Sequence, residues 1–327
     1  MQSDIVKNNK TESVLQTYLF QILHHQFFAM KTNKQKGYLA LAIISIVWGT
    51  TYIAAKVGAT HMPGLFVSGV RQFISGVLMA GFFIVRGDAF PAWEEMKKIS
   101  LQGILLLCVA NGLITWSMEY ISGGLAAIIV ALVPFFTVFF SIQMQKKSKF
   151  TGVMLFGLLL GFAGILSIFY DYAGILPGKN FKLGIALALT STIVWAYGTV
   201  YTSGTKGKTH LLFAAGLQML VAGIVMLIIC YSTGKYVNLV NTGTDSWYAL
   251  LYLIVFGSLI SYSAYVFAIR HLSAAKVSMY AYINPIVAII CGWLLLNEKM
   301  TANVIAGSLV TLLAIYIVNR EFKKQQI

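Results

Sequence analysis

The sequence predicts an all-α integral membrane protein of ten transmembrane helices, arranged as two inverted five-helix repeats. Three observations carry that expectation: an apolar composition, ten separate runs of spanning length, and a weak internal duplication at a near-constant offset.

Hydrophobic residues fill 58% of the 327 positions and only 10% are charged, against about 25% charged in an ordinary soluble domain. A soluble chain must cover its exterior with polar side chains, whereas in lipid an apolar exterior is the natural one. The net charge of +14 does not point to nucleic acid, because the lysines and arginines fall in short clusters between apolar runs, as at Lys146, Lys147 and Lys149, which is how membrane topology is encoded. Cys108, Cys230 and Cys291 all lie inside apolar runs with no partner at metal-ligand spacing, so they read as small buried hydrophobes. Neither a metal nor a cofactor is expected.

A spanning helix needs about 20 mostly apolar residues. Such runs occur near 38–59, 64–85, 101–118, 124–145, 151–170, 183–203, 210–231, 247–268, 275–296 and 302–319. With the N-terminus placed in the cytoplasm, most of the 24 Lys and Arg residues fall on the inner side. Lys179, Lys182, Lys235 and Lys299 fall outside, and Lys56 and Arg71 lie within spans. That bias places both termini in the cytoplasm. Residues 1–37 form a cytoplasmic N-terminal extension and 321–327 a cytoplasmic tail. The stretch Val14–Phe28 is amphipathic but too short to span, and no small-residue cleavage site follows it. It reads as a dispensable extension, or as a helix lying on the membrane surface.

The duplication joins 38–170 to 183–320. Trp48, Phe66, Gly69 and Gly76 recur as Trp195, Phe213, Gly216 and Gly223 at an offset of 147. Ser122 and Pro134 recur as Ser273 and Pro285 at 151, and Gly157 recurs as Gly307. Five spans per copy force the second copy to enter the bilayer upside down. Inverted repeats give two nearly equivalent conformations around a site near the midplane, the architecture of alternating access.

A solute path needs polar or aromatic groups on one helical face. Ser45, Trp48, Tyr52 and Lys56 share a face at spacings of three and four, as do Ser191, Trp195, Thr199 and Thr202. Asn111, Thr115 and Glu119 recur every fourth residue with Trp116 beside them, and Ser258, Tyr262 and Tyr265 form a further face. The substrate-binding candidates are Trp48, Tyr52, Asn111, Trp116, Trp195, Tyr262 and Tyr265; the competing reading is polar contact between helices. Lys56, Arg71 and Glu119 are charged residues of the pathway or of the scaffold, since each is costly in a span. Lys56 can snorkel to the headgroups, Arg71 can cap carbonyls, pair with Glu119 or meet a substrate carboxylate, and Glu119 is the carboxylate to carry proton coupling if any exists. Pro134 and Pro285 are expected to break two related helices, with Asn284 offering a side-chain partner to freed backbone. No catalytic residues are expected.

The run Trp48, Gly49, Thr50, Thr51, Tyr52 with Lys56 resembles the first-helix signature of the EamA family of the drug/metabolite transporter superfamily. Arg71, Pro134, Pro285 and the segment Leu296, Asn297, Glu298, Lys299 add to the resemblance, which covers about 38–320. It implies ten helices, two EamA domains, and export or exchange of small organic solutes such as amino acids across a bacterial plasma membrane. The alternatives are an intramembrane enzyme, which needs clustered His, Asp, Glu or Cys at membrane depth, and a non-transporting scaffold. No glycine-rich phosphate loop with its lysine is present to couple transport to ATP. The expected partners are a small molecule and the lipid bilayer; oligomeric state is open.

Overall fold

Thr32 opens the first helix among the described residues. Its side chain accepts from the Gln35 backbone N–H while Gln35 Oε1 accepts from the Thr32 backbone N–H, a reciprocal cap that satisfies two orphan donors. The helix it starts, α1, runs Asn33–His61. The computed structural model describes residues 32–121, 126, 129–145, 151–169, 180–237, 243–296 and 301–324. The N-terminal stretch Val14–Phe28, the cluster Lys146, Lys147 and Lys149, and Asn297, Glu298 and Lys299 lie outside them, as do the side chains of Tyr52, Lys56 and Cys291.

The remaining long helices are α2 (Gly64–Val85), α3 (Trp93–Ser117), α4 (Val133–Gln145), α5 (Gly152–Phe169), α6 (Phe181–Gly204), α7 (Leu211–Ser232), α8 (Thr244–His271), α9 (Tyr280–Leu296) and α10 (Ala302–Lys324). Five of them, α2, α3, α6, α7 and α8, are long and apolar enough to cross a membrane. Shorter apolar stretches lie in α4, α5 and α10. The protein is therefore an all-helical membrane protein among its described residues.

Helix bounds differ from the apolar runs where polar turns extend a helix beyond them. The α3 helix begins eight residues before its run, at Trp93, with Glu94 and Glu95 in the first turn, where carboxylates suit the positive end of the helix dipole. The α4 helix begins at Val133, after a turn at Ala131–Leu132. Helical residues at 129–130 give way to that turn, so regular helix is interrupted just before Pro134, which sits in the first turn of the helix that resumes, where its missing N–H costs little. Pro285, by contrast, lies inside α9.

Contacts fix the relative directions. Gly37 packs on Leu272, Trp48 bonds Gly257 and Thr50 bonds Tyr252, so α1 and α8 are antiparallel. The α6 helix runs antiparallel to α3 through Gly198 on Leu106, Ser191 on Ala110 and Gly184 on Ile121. One pole of the bundle thus gathers the start of α1, the end of α2, the start of α3, the end of α6 and the end of α8. It carries Lys34, Lys36, Arg86, Lys97, Lys98, Lys206, Lys208 and Arg270, while Lys182 and Lys235 lie at the second pole, where α2 begins.

The tightest crossing is α2 on α7. A Cβ on Gly76 would fall on the Leu220 backbone nitrogen, and one on Gly223 would fall on the Phe73 nitrogen. Gly69 faces Met226 and Leu227, while Gly216 faces Met79 and Ala80. Each contact has a counterpart in which both residues are exchanged at the 147-residue offset. Gly157 packs on Val318 of α10 and Gly161 on Tyr282 of α9, so this small-residue pair serves packing within the chain.

The α3 and α8 helices each contain a π-helical stretch, Ile104–Ala110 and Leu253–Ile260. Inserted π turns occur frequently at functional sites, and both adjoin the cavity described next.

Candidate functional site

A cavity of about 700 Å³, mouth included, lies among α1, α2, α3, α4, α6 and α9. Its inner end is walled by Trp48, Trp195 and Tyr280, with Asn284 and Ala110 beside them. From there it extends toward the second pole past Thr51, Arg71, Asn111 and Thr115 to Ala55 and Met118. The structure thus brings Trp48, Trp195, Asn111, Arg71 and Asn284 to one space. They come from five different helices.

Trp48 is held at both ends. Its Nε1 donates to the Gly257 carbonyl at 3.1 Å, and its ring meets Trp195, Tyr265 and Tyr280 at centroid distances of 5.5, 5.3 and 4.9 Å. Such edge-to-face and tilted contacts suit the ring quadrupoles. Arg71 is buried in the cavity wall and its Nε donates to Ser258 Oγ at 2.7 Å. A Cβ on Gly257 would stand 3.3 Å from Arg71 Nη2, so the guanidinium lies over a glycine that leaves it room. The irregular stretch of α8 therefore presents the Gly257 carbonyl to Trp48 and Ser258 to Arg71. Asn111 Oδ1 accepts from Ser68 Oγ at 2.7 Å. With Nδ2 turned toward them, the Asn284 amide donates to Ser45 O at 2.9 Å and Tyr280 O at 3.1 Å, tying α9 to α1.

Tyr262 and Tyr265 do not line this cavity. They lie beneath it, fully buried, in the core cluster that also packs Trp48 and Trp195. The Tyr265 hydroxyl pairs with Thr199, and Tyr262 donates to Gln218 Oε1 at 2.6 Å, whose Nε2 donates to Gln102 Oε1 at 2.6 Å. Those two glutamines line a second, smaller pocket that opens among Glu95, Lys98, Thr202, Lys206 and Arg270 at the first pole. From Trp195 to Thr202 is seven residues of α6, or about 10 Å of helix. A layer of aromatic rings and paired amides of that thickness separates the two spaces.

Two other expected residues stand apart. Trp116 lies outside the cavity lining, with Lys235 Nζ 4.3 Å from its ring centroid. Glu119 is exposed and accepts from the Gly64 backbone N–H at 2.9 Å, which places a carboxylate at the N-terminus of α2. Neither pairs Arg71: among the described residues no carboxylate lies within ion-pair distance of it. Spacing alone missed Thr51, Gly257, Tyr280, Gln102 and Gln218. The two glutamines carried a signal, being amides inside apolar runs, but nothing in the sequence paired them.

The sequence profile described as the EamA-like transporter family matches residues 35–170 and again 182–320. The chain belongs to that family. It is 34% identical over 263 residues to the inner membrane transporter YedA of Escherichia coli (strain K12), covering 80% of this chain and 83% of YedA. It is 27% identical over 293 residues to the transporter YvbV of Bacillus subtilis (strain 168), covering 90% and 94%. The chloroplastic WAT1-related protein At3g02690 of Arabidopsis thaliana is 30% identical, over 83% of this chain and 66% of that one. A solved crystal structure covered to 99% of its chain superposes on 90% of this one with a TM-score of 0.73 at 13% identity, which speaks to the fold alone. This EamA protein is thus a membrane transporter of the drug/metabolite type and not an enzyme.

Proposed function

We propose that the protein is a secondary transporter that moves small organic metabolites across a bacterial plasma membrane by alternating access. In this reading the chain crosses the bilayer ten times, as two inverted five-helix repeats over 38–170 and 183–320, with its lysine-rich first pole and both termini in the cytoplasm. The observation that carries it is the pair of spaces on either side of one plug: a cavity running toward the second pole and a smaller pocket at the first. A carrier needs a site reached from one face while the path to the other is shut.

The exchanged contacts across α2 and α7 support the inverted repeat, since an antiparallel pair related by a two-fold axis touches itself in mirrored residue pairs. The packing of α1 against α8 and α9, matched by that of α6 against α3 and α4, supports it again. Trp48, Trp195 and Tyr280 would grip flat or apolar parts of a solute, while Asn111, Thr51 and Thr115 orient it. Tyr265 and Tyr262 would brace the plug rather than touch the solute in this conformation.

Counterflow in proteoliposomes tests the proposal. Vesicles loaded with one unlabelled solute from a mixed panel of metabolites should transiently accumulate the labelled form. Trp195→Ala, which removes one wall of the cavity, should reduce that accumulation at least tenfold. Uptake that neither saturates nor shows counterflow would replace the carrier with a channel.

A further inference from the structure

We infer that the transported solute is a net anion whose carboxylate docks on Arg71, beside an apolar portion held against Trp48, Trp195 and Tyr280. This rests on the reading of the cavity as the solute path and adds the charge of what occupies it.

Arg71 is the one charged side chain among the described residues lining the cavity. It is only 8% exposed. Ser258 takes its Nε, which fixes the plane of the guanidinium and leaves the fork of Nη donors for another partner. Among the described residues, no carboxylate supplies one. A guanidinium removed from water without a counter-ion is costly, and its planar fork matches a carboxylate with two parallel hydrogen bonds. Gly257 supports the same reading, because a side chain there would press on Nη2 and Thr51. The site is thus shaped to hold the fork in place.

The remaining polar groups of the cavity argue against a cation or a zwitterion. Asn111 Oδ1 already accepts from Ser68, and Thr115 donates to the Asn111 carbonyl. The Glu119 carboxylate caps α2 outside the lining. An ammonium group entering this space would meet Arg71 and, among the described lining residues, no acid to offset it. The pocket beyond the plug has the same sign: Lys98, Lys206 and Arg270 face one acid, Glu95, whose Oε1 is occupied by the Thr209 backbone N–H. Both ends of the path therefore favour a negatively charged solute.

The test uses the purified full-length protein and matched probes that differ only in the anion: 3-phenylpropanoate against 3-phenylpropanamide, and butanoate against butanamide. Binding is read from intrinsic tryptophan fluorescence, since two of the six tryptophans stand in the cavity wall. The acids should bind at least tenfold more tightly than their amides. Arg71→Gln should abolish that preference, Arg71→Lys should retain part of it, and Ser258→Ala should weaken acid binding several-fold without changing the amide. Thermal unfolding checks that each variant is folded; if Arg71→Gln is not, the Ser258→Ala and Arg71→Lys results decide. Equal binding of acid and amide, an unchanged preference in the Arg71 and Ser258 variants, or no saturable binding by either acid would overturn the inference. Counterflow separates this from failure of the transporter reading. Carriage of neutral or cationic solutes with no preference for acids sinks the anion and leaves the carrier. Acid binding without counterflow sinks the carrier and leaves the site.

Discussion

At the residue scale, Glu119 shows how a side chain can be read in two ways until its partner is known. Its spacing from Asn111 and Thr115 put it on the cavity face of α3, the place for a proton-loading acid. In the structure α3 ends at Ser117, and the turn that follows carries Glu119 around to the Gly64 N–H. A helical face extrapolated two residues past the end of its helix no longer predicts direction. The geometry makes Glu119 an anchor for the start of α2, where a negative charge near the first turn contributes about 0.5 kcal/mol. Glu119→Gln keeps an oxygen for Gly64 and removes only the charge, so it should lower the unfolding temperature by about 1 °C and leave the pH profile of transport unchanged. A flattened pH profile in that variant would return Glu119 to proton coupling. Trp48, Asn111 and Trp195 were legible because they sit mid-helix, where periodicity holds; Gly257 and Ser258 act through a π-helical stretch, where a 3.6-residue period does not apply.

At the element scale, the apolar runs located α2, α6 and α7 to within a residue or two of their observed ends, since those helices stop where the polar loops begin. They missed the early start of α3, whose first two turns are polar, and the turn before α4. The glycine duplication was legible as an offset but not as a contact. Its physical content is the crossing of α2 on α7, where backbone lies against backbone and no flexible side chain can give way. Gly76→Ala and Gly223→Ala should therefore each destabilise the protein by about 1–3 kcal/mol, the usual cost of overpacking. Gly81→Ala, on the same helix with nothing within 4 Å of its Cβ position, should be neutral or stabilising, because alanine favours a helix by up to about 1 kcal/mol. Thermal unfolding in one detergent compares all three. Equal effects at Gly76 and Gly81 would mean that the crossing is looser than its geometry.

At the scale of the whole molecule, the proposed carrier would rely on the plug to decide which face reaches the cavity. Its aromatic part is held by ring packing, but its lower boundary depends on one hydrogen-bond chain, Tyr262 to Gln218 to Gln102, drawn from α8, α7 and α3. Tyr262→Phe keeps the ring in the core and leaves Gln218 Oε1 without its donor. A buried acceptor stripped of its partner costs about 1–3 kcal/mol, and that cost falls on the closed arrangement alone if opening toward the first pole lets water reach the amide. The variant should therefore shift the population toward the opposite conformation by tenfold or more. A reporter cysteine at Thr192, in the cavity wall, reads the shift once Cys108, Cys230 and Cys291 are replaced by alanine. In the parent protein, a membrane-impermeant maleimide should label Thr192→Cys from the side of the second pole and slowly or not at all from the other. Adding Tyr262→Phe should raise labelling from the first-pole side several-fold and reduce it from the second. Rates that do not change from either side would separate the hydrogen-bond chain from the gate and leave the rings of Trp48, Trp195 and Tyr265 as the barrier that moves.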